Sequence, residues 1–532
     1  MLEKEGIWLS NQITKIPESI KKGGSSIMTA SRGVLALAAL ALVAMTMTAA
    51  APTSGGPLDD GDVAFSTVVN ATSFTLTANR VEEGFCDETK QLSGYFKIAG
   101  SRSKNYFYWF FESRGSPATD PLIIWLTGGP GCSSMLALVV ENGPCSVRDD
   151  LTLKRNPASW NERANIMWID QPVGVGFSYG DKSEYDTDEK QVGDDMYQFL
   201  QAFFQARPEY QTQPFFVFGE SYAGHYVPAI AHRVFEGNKR QDGPVHINLE
   251  GFGIGNGLTD PQVQYKYYPD MAYNNTYNVK AVSYPVYAAM KTAVAPCIAM
   301  IERCQKSKAA CLAAQAFCNA ALVAPYSASG LNVYDVREKC KHPPLCYDFS
   351  AVEKFFRLES TLKALHVTPK SAKWESCNME VHAGFAYDWM KNFQQLVVPM
   401  LEGGVRGLVY AGDADFIVNW FGCKAWTLEL EWSQGDKFAA AEDKDWVVNG
   451  KKAGKIRQVG PFAFVQVFDA GHMVPLDQPD NALELVKMFT LPKQPMDEPE
   501  LEELTSALLD IKKDEEVSMA EMIKEEGFMT QA

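Results

Sequence analysis

Residues Phe215–Pro228 read as an apolar run, then Gly-Glu-Ser-Tyr-Ala-Gly, then a segment able to open a helix. The run Phe215–Phe218 predicts a buried strand, and Gly219 and Ala223 leave room for a sharp strand-to-helix turn with Ser221 at its apex. Other apolar stretches end the same way, in small residues. Pro121–Ser134 runs into Gly128-Gly129-Pro130-Gly131, and Gly407–Phe416 leads to Asp413 and Asp415. A strand-like alternation through Phe468 leads to Ala470, Gly471 and His472. Strands that carry reactive groups at their ends predict an α/β-hydrolase fold, with a central, mostly parallel sheet flanked by helices.

The groups at those ends are chemically matched. On this fold the order is serine, then an acid, then histidine. Of the seven histidines, only His472 lies beyond the candidate acids. Spacing leaves both Asp413 and Asp415 open as the acid. Serine is a poor nucleophile at its own proton affinity, so a histidine must take its proton and an aspartate must orient the ring. The tetrahedral oxyanion needs two N–H donors. Tyr222, after the nucleophile, supplies one, and the Gly-rich turn at Gly128–Gly131 supplies the other. No Gly-Lys-Ser, Gly-Lys-Thr or GxGxxG follows that turn, which argues against phosphate binding.

The segments WLTGGPGCSS, ENGP, DQPVGVGFSY, GESYAGHYVP, IGNGLTDP, VAPY, NVYD, ESCN, YAGDADF and GHMVP occur in that order. Together they resemble the serine carboxypeptidase family, of the yeast vacuolar carboxypeptidase Y type, from about Phe85 to Phe489. The resemblance implies Ser221 as nucleophile, Asp415 as orienting acid and His472 as base, with Gly129 and Tyr222 as oxyanion donors. It implies that Trp125, Gly128, Glu141 and Glu220 recognise the substrate's terminal carboxylate, where two close carboxyls would share a proton. Thr127 stands where the family's peptidases carry asparagine, and its hydroxyl is the expected substitute donor. Tyr334 and Tyr347 are expected in the pocket for the leaving residue and Tyr222, Trp389 and Ile417 in the neighbouring one, with Met473 also expected at the substrate pockets. The implied activity is release of C-terminal, preferentially hydrophobic residues from peptides at acidic pH through an acyl-enzyme. The alternative is an acyltransferase using the same triad. No cofactor or metal is implied, and no HxxE or HExxH pair is present.

Cys297, Cys304, Cys311 and Cys318 recur every seventh position, which predicts a helical hairpin turning near Lys306–Lys308 and pinned by nested bridges, Cys304–Cys311 and Cys297–Cys318. The resemblance supports that pairing and adds Cys132–Cys377 and Cys340–Cys346. Where relatives have a further bridge, this chain has Tyr273 and Tyr287. Cys86, Cys145 and Cys423 stay unassigned among the 11 cysteines, an odd total that requires a free or intermolecular thiol. Disulfides belong to the secretory pathway, with delivery to a vacuole, a lysosome or the exterior. Residues 28–51 read as a signal peptide, with 1–27 as an extended upstream stretch and 52–84 as a linking segment or short propeptide. Asn70 and Asn274 open glycosylation sequons.

The core is expected over 85–260 and 374–493, with 261–373 as an inserted helical, disulfide-rich cap. Residues 494–532 carry 12 acidic and three basic side chains, about −9 of the chain's −16. Such a balance argues against nucleic acid as a partner. Peptide or protein C-termini are the expected partner, without a stable membrane span, for a monomer or homodimer.

Overall fold

Twelve strands form one sheet in the computed structural model, which describes residues 63–69, 72–98, 101 and 103–491. In chain order they are β1 (Val63–Val69), β2 (Thr72–Val81), β3 (Gln91–Ile98), β4 (Asn105–Phe111), β5 (Leu122–Thr127) and β6 (Asn165–Ile169). Then come β7 (Phe215–Glu220), β8 (Leu249–Gly255), β9 (Arg406–Gly412), β10 (Lys444–Val448), β11 (Lys451–Val459) and β12 (Phe462–Val467). The spatial order is β1-β2-β3-β4-β6-β5-β7-β8-β9-β12-β11-β10. The strands from β6 to β12 in that order are parallel, and the two flanks are antiparallel. A parallel strand is covered on both faces, so its sequence is apolar throughout rather than alternating. Every residue of β7 is buried, and Phe215 and Val217 enter one core while Phe216 and Phe218 enter the other.

Helices α1 (Ser134–Val140), α2 (Glu189–Ala206), α3 (Ala223–Arg240) and the later Pro479–Thr490 cover the two faces. Between β8 and β9 lies the insertion. Its longest elements are α4 (Tyr284–Lys306) and α5 (Lys308–Cys318), a hairpin that turns where the cysteine spacing places it. Cys297, Cys304, Cys311 and Cys318 are all fully buried between the two helices. The bridges Cys297–Cys318 and Cys304–Cys311 form the expected nest, and Cys132–Cys377 and Cys340–Cys346 are also formed. A fifth bridge joins Cys86 to Cys145, and Cys423 is the buried free thiol. By length and composition alone, α4 and the segment Lys308–Ser327 would suffice to cross a membrane. The expected signal segment 28–51, Asn70 and the acidic tail 494–532 lie outside the described residues. Asn274 is exposed just after a helix end.

Tyr273 and Tyr287 stack with ring centroids 4.8 Å apart and planes 20° from parallel. Tyr287 also donates its hydroxyl hydrogen to Asp270 at 2.9 Å. An aromatic pair thus joins two successive helices at the base of the hairpin. A double-mutant cycle with Tyr273→Ala and Tyr287→Ala, read by urea unfolding, should show a coupling of about 1 kcal/mol. Additive effects would mean that the rings do not hold this junction.

Candidate active site

The turn after β7 is as sharp as its sequence demands. Ser221 has φ 66°, in the left-handed region. Its N–H donates to the Gly255 carbonyl at 3.1 Å, and its own carbonyl accepts from Gly224 at 3.0 Å and Leu258 at 2.9 Å. A Cβ on Gly219 would stand 2.6 Å from the Leu126 carbonyl oxygen and 2.7 Å from the Ala223 Cβ. One on Gly128 would stand 2.3 Å from the Tyr222 nitrogen. That absent side chain lets the loop carrying Gly129 close onto the backbone N–H of Tyr222, so the two expected oxyanion donors come from segments in direct contact.

Spacing left two acids open, and the geometry separates them. Asp415 Oδ2 accepts from His472 Nδ1 at 2.7 Å, from Asn256 Nδ2 at 2.9 Å and from the Val418 N–H at 3.2 Å. Its Oδ1 accepts from the Ile417 N–H at 3.0 Å. Asp413 instead accepts from the Tyr277 hydroxyl and from the Asp469 N–H. Asn256 was legible only as part of the IGNG motif. In the structure its Oδ1 also accepts from Gly412 at 3.0 Å, so it clamps the end of β9 and the acid together.

The insertion helps hold both partners. The Val333 carbonyl accepts from the N–H groups of Phe416 at 3.2 Å and Ile417 at 2.9 Å, and the Val336 N–H donates to the Ala414 carbonyl at 2.8 Å. The Tyr334 carbonyl accepts from the His472 N–H at 2.8 Å. Arg337 is held by Asp335 and reaches Asp477, whose Oδ2 accepts from the Gly471 N–H.

Ser221 and His472 line one cavity, together with Thr127, Gly129, Glu141, Glu220, Tyr334, Tyr347 and Met473. Pro344, Leu345 and Phe349, around the Cys340–Cys346 bridge, add apolar wall that the sequence did not point to. Glu141 and Glu220 are buried and share a hydrogen bond. Burial pushes Glu141 up to about 7. Burial, then the charge of Glu141, holds Glu220 well above the ordinary carboxyl range. One oxygen of each, Oε2, has no protein partner.

Other expected residues are placed differently. Trp125 is fully buried, and its indole N–H donates to Thr127 Oγ1 at 3.1 Å, so it supports the threonine from beneath rather than lining the cavity. Thr127 keeps its hydroxyl hydrogen for another acceptor. The Tyr222 ring is also buried, donating to Asp388 at 3.0 Å and lying against Trp389 at 5.3 Å. Trp389 and Ile417 are half-buried and outside the lining of the cavity that holds Ser221.

The profile of the serine carboxypeptidases matches residues 83–491. The chain belongs to the serine carboxypeptidase family. It is 42% identical over 418 residues to serine carboxypeptidase 3 of Oryza sativa subsp. japonica, covering 76% of this chain and 82% of that one. It is 43% identical over 408 residues to carboxypeptidase Y of Komagataella phaffii, covering 76% of each. Among solved structures it resembles Kex1Δp, a prohormone-processing carboxypeptidase from Saccharomyces cerevisiae. That match has a TM-score of 0.69 and 26% identity, and spans 78% of this chain and 97% of that one. As a member of this family the protein is a peptide hydrolase.

Gly224 is the tightest point of the serine carboxypeptidase elbow on its helix side. A Cβ there would meet the Leu258 nitrogen at 2.5 Å and the Gly257 carbonyl carbon at 2.6 Å, both rigid backbone. Gly224→Ala should cost roughly 1–3 kcal/mol in denaturant unfolding. An unchanged midpoint would mean that the turn yields at no cost.

Proposed function

We propose that the protein releases single residues from peptide C-termini through an acyl-enzyme on Ser221. The observation that carries this reading is the buried Glu141–Glu220 pair beside Ser221. A hydrolase without a charged substrate end gains nothing from two burdened acids, whereas a protonated carboxyl donates to a terminal carboxylate. The Thr127 hydroxyl, which accepts from Trp125 and keeps its own hydrogen, is the second donor. Ser221 attacks the carbonyl carbon of the last peptide bond while His472 takes its proton. The negative oxygen is received by the N–H groups of Gly129 and Tyr222, and His472 returns the proton to the departing amino group. Water then attacks the acyl ester by the same route. Asp415 keeps the ring's other nitrogen protonated and turned toward it.

The walls offered to the leaving residue are Tyr334, Tyr347, Leu345 and Met473. Their apolar surface supports a hydrophobic preference at that position. Transfer of the acyl group to an alcohol is the lesser reading, because an acyltransferase has no use for a proton-sharing pair aimed at a free carboxylate. Five disulfides in the described residues support folding in the secretory pathway.

An N-blocked dipeptide ending in leucine should lose that leucine at about pH 5, and Ser221→Ala or an organophosphate should abolish the release. Asp415→Asn should lower kcat by about 10⁴-fold. Preferred transfer to an added alcohol over hydrolysis would overturn the peptidase reading.

The pair also sets a pH dependence. One proton bridges the two carboxyls, and the second, which is free to be donated to a substrate, is lost as pH rises through the raised value of about 7 for Glu141. KM for the free-acid dipeptide should therefore climb above neutrality. KM for the matching C-terminal amide, which has no carboxylate, should stay nearly level. Parallel curves for both substrates would remove the pair from carboxylate recognition.

A further inference from the structure

His382 has no part in the reading above, yet it lines the cavity that holds Ser221, Glu220 and His472. It sits on a short helix, Met379–Gly384, whose start is fastened to the Gly-rich loop. Cys377 is bridged to Cys132, and the Asn378 N–H donates to the Gly131 carbonyl at 2.8 Å. Gly131 has no room for a side chain, since a Cβ would stand 2.8 Å from the Asn378 oxygen. The ring's Nδ1–H donates to the Pro130 carbonyl at 3.2 Å, which leaves Nε2 as its remaining polar atom. The ring packs against Trp389 with centroids 5.5 Å apart, and Trp389 lies against Tyr222, the residue after Ser221. The imidazole therefore stands on the Trp389 side of Ser221, where the pocket for the residue before the scissile bond is expected.

Resting on the carboxypeptidase reading, we propose that His382 is a specificity-determining residue whose Nε2 meets an anionic side chain on the residue before the scissile bond. Neutral imidazole offers only an acceptor at Nε2, whereas the imidazolium offers a charged donor. Burial holds the proton affinity of His382 below that of an ordinary histidine, opposed by its bonds to the Pro130 and Gly129 carbonyls. The positive ring thus exists at the acid end and is lost as pH rises. The ionisable groups around it are Glu141, Glu220 and His472 across the cavity. Glu380 on its own helix is paired with Lys182, Asp388 behind Trp389 is bound by Tyr222, and Asp186 near Gly384 is bound by Lys104. Among the described residues, none of these carboxylates is hydrogen-bonded to the His382 ring. The charge of the protonated ring is therefore left for a substrate to meet.

The test uses blocked dipeptides with cysteic acid or glutamine before a constant C-terminal leucine, because a sulfonate keeps its charge throughout. The ratio of kcat/KM for cysteic acid to that for glutamine should rise about five- to tenfold from about pH 7 to about pH 4.5, as expected for a partly buried charge pair. Titrations that act equally on both peptides divide out of the ratio, and His382→Gln reports any that Glu141 and Glu220 exert on the charge alone. In His382→Gln the ratio should not change with pH. A level ratio in the native protein overturns the assignment, and that measurement decides alone if the variant misfolds. A rise that persists in His382→Gln also overturns it, as does one that follows the C-terminal residue instead of the penultimate one. Failure of the native protein to cleave any of the peptides would instead remove the carboxypeptidase reading, and this assignment with it.

Discussion

A carboxyl group with no access to solvent must find its donors within the protein, and the site is organised around that need at Asp415. Its four donors come from the turn after β8, from its own loop after β9 and from the loop after β12. These strands are neighbours in the sheet, so their ends converge. Any rotation of the His472 ring gives up a hydrogen bond where no water replaces it. The end of β8 also receives the Ser221 N–H at Gly255, and so supports Ser221 and Asp415 together.

The insertion belongs to this frame as much as the sheet does. Val333, Tyr334 and Val336 make backbone hydrogen bonds to the loop of Asp415 and to His472. The same short stretch presents Tyr334 to the cavity. Cavity wall and histidine support are therefore one piece of chain, and the hairpin of the insertion is closed by two bridges. A displacement of the insertion would reach His472 through the Tyr334 carbonyl.

Similar acids acquire opposite tasks from the number of donors that surround them. Asp415 is met by four N–H groups, whereas Glu141 and Glu220 are met chiefly by each other. Burial without donors keeps a proton on the glutamate pair. Trp125 follows the same economy in reverse: its indole N–H is satisfied by Thr127, leaving the threonine hydroxyl hydrogen for a ligand.

The parallel strands were legible because burial on both faces leaves a local mark, an unbroken apolar run ending in glycine. The hairpin was legible because a seven-residue cysteine repeat returns to one helix face. The elbow was legible because only small residues tolerate its contacts, at Gly219 as in the structure, although Gly224 is packed as tightly as Gly219. Whether Asp413 or Asp415 meets the histidine was not decided by spacing, since both follow β9 within three residues. The Cys86–Cys145 bridge joins positions 59 residues apart with no repeat between them. The clamp by Asn256, the support from Trp125 and the presence of His382 beside Ser221 likewise depend on segments that meet only after folding. Sequence by itself determined which elements form and which reactive groups stand at their ends, because those follow from local burial and backbone room. Tertiary packing alone decided which donor reaches which acid, because hydrogen bonds hold over about 3 Å and no periodicity along the chain encodes a distance that short.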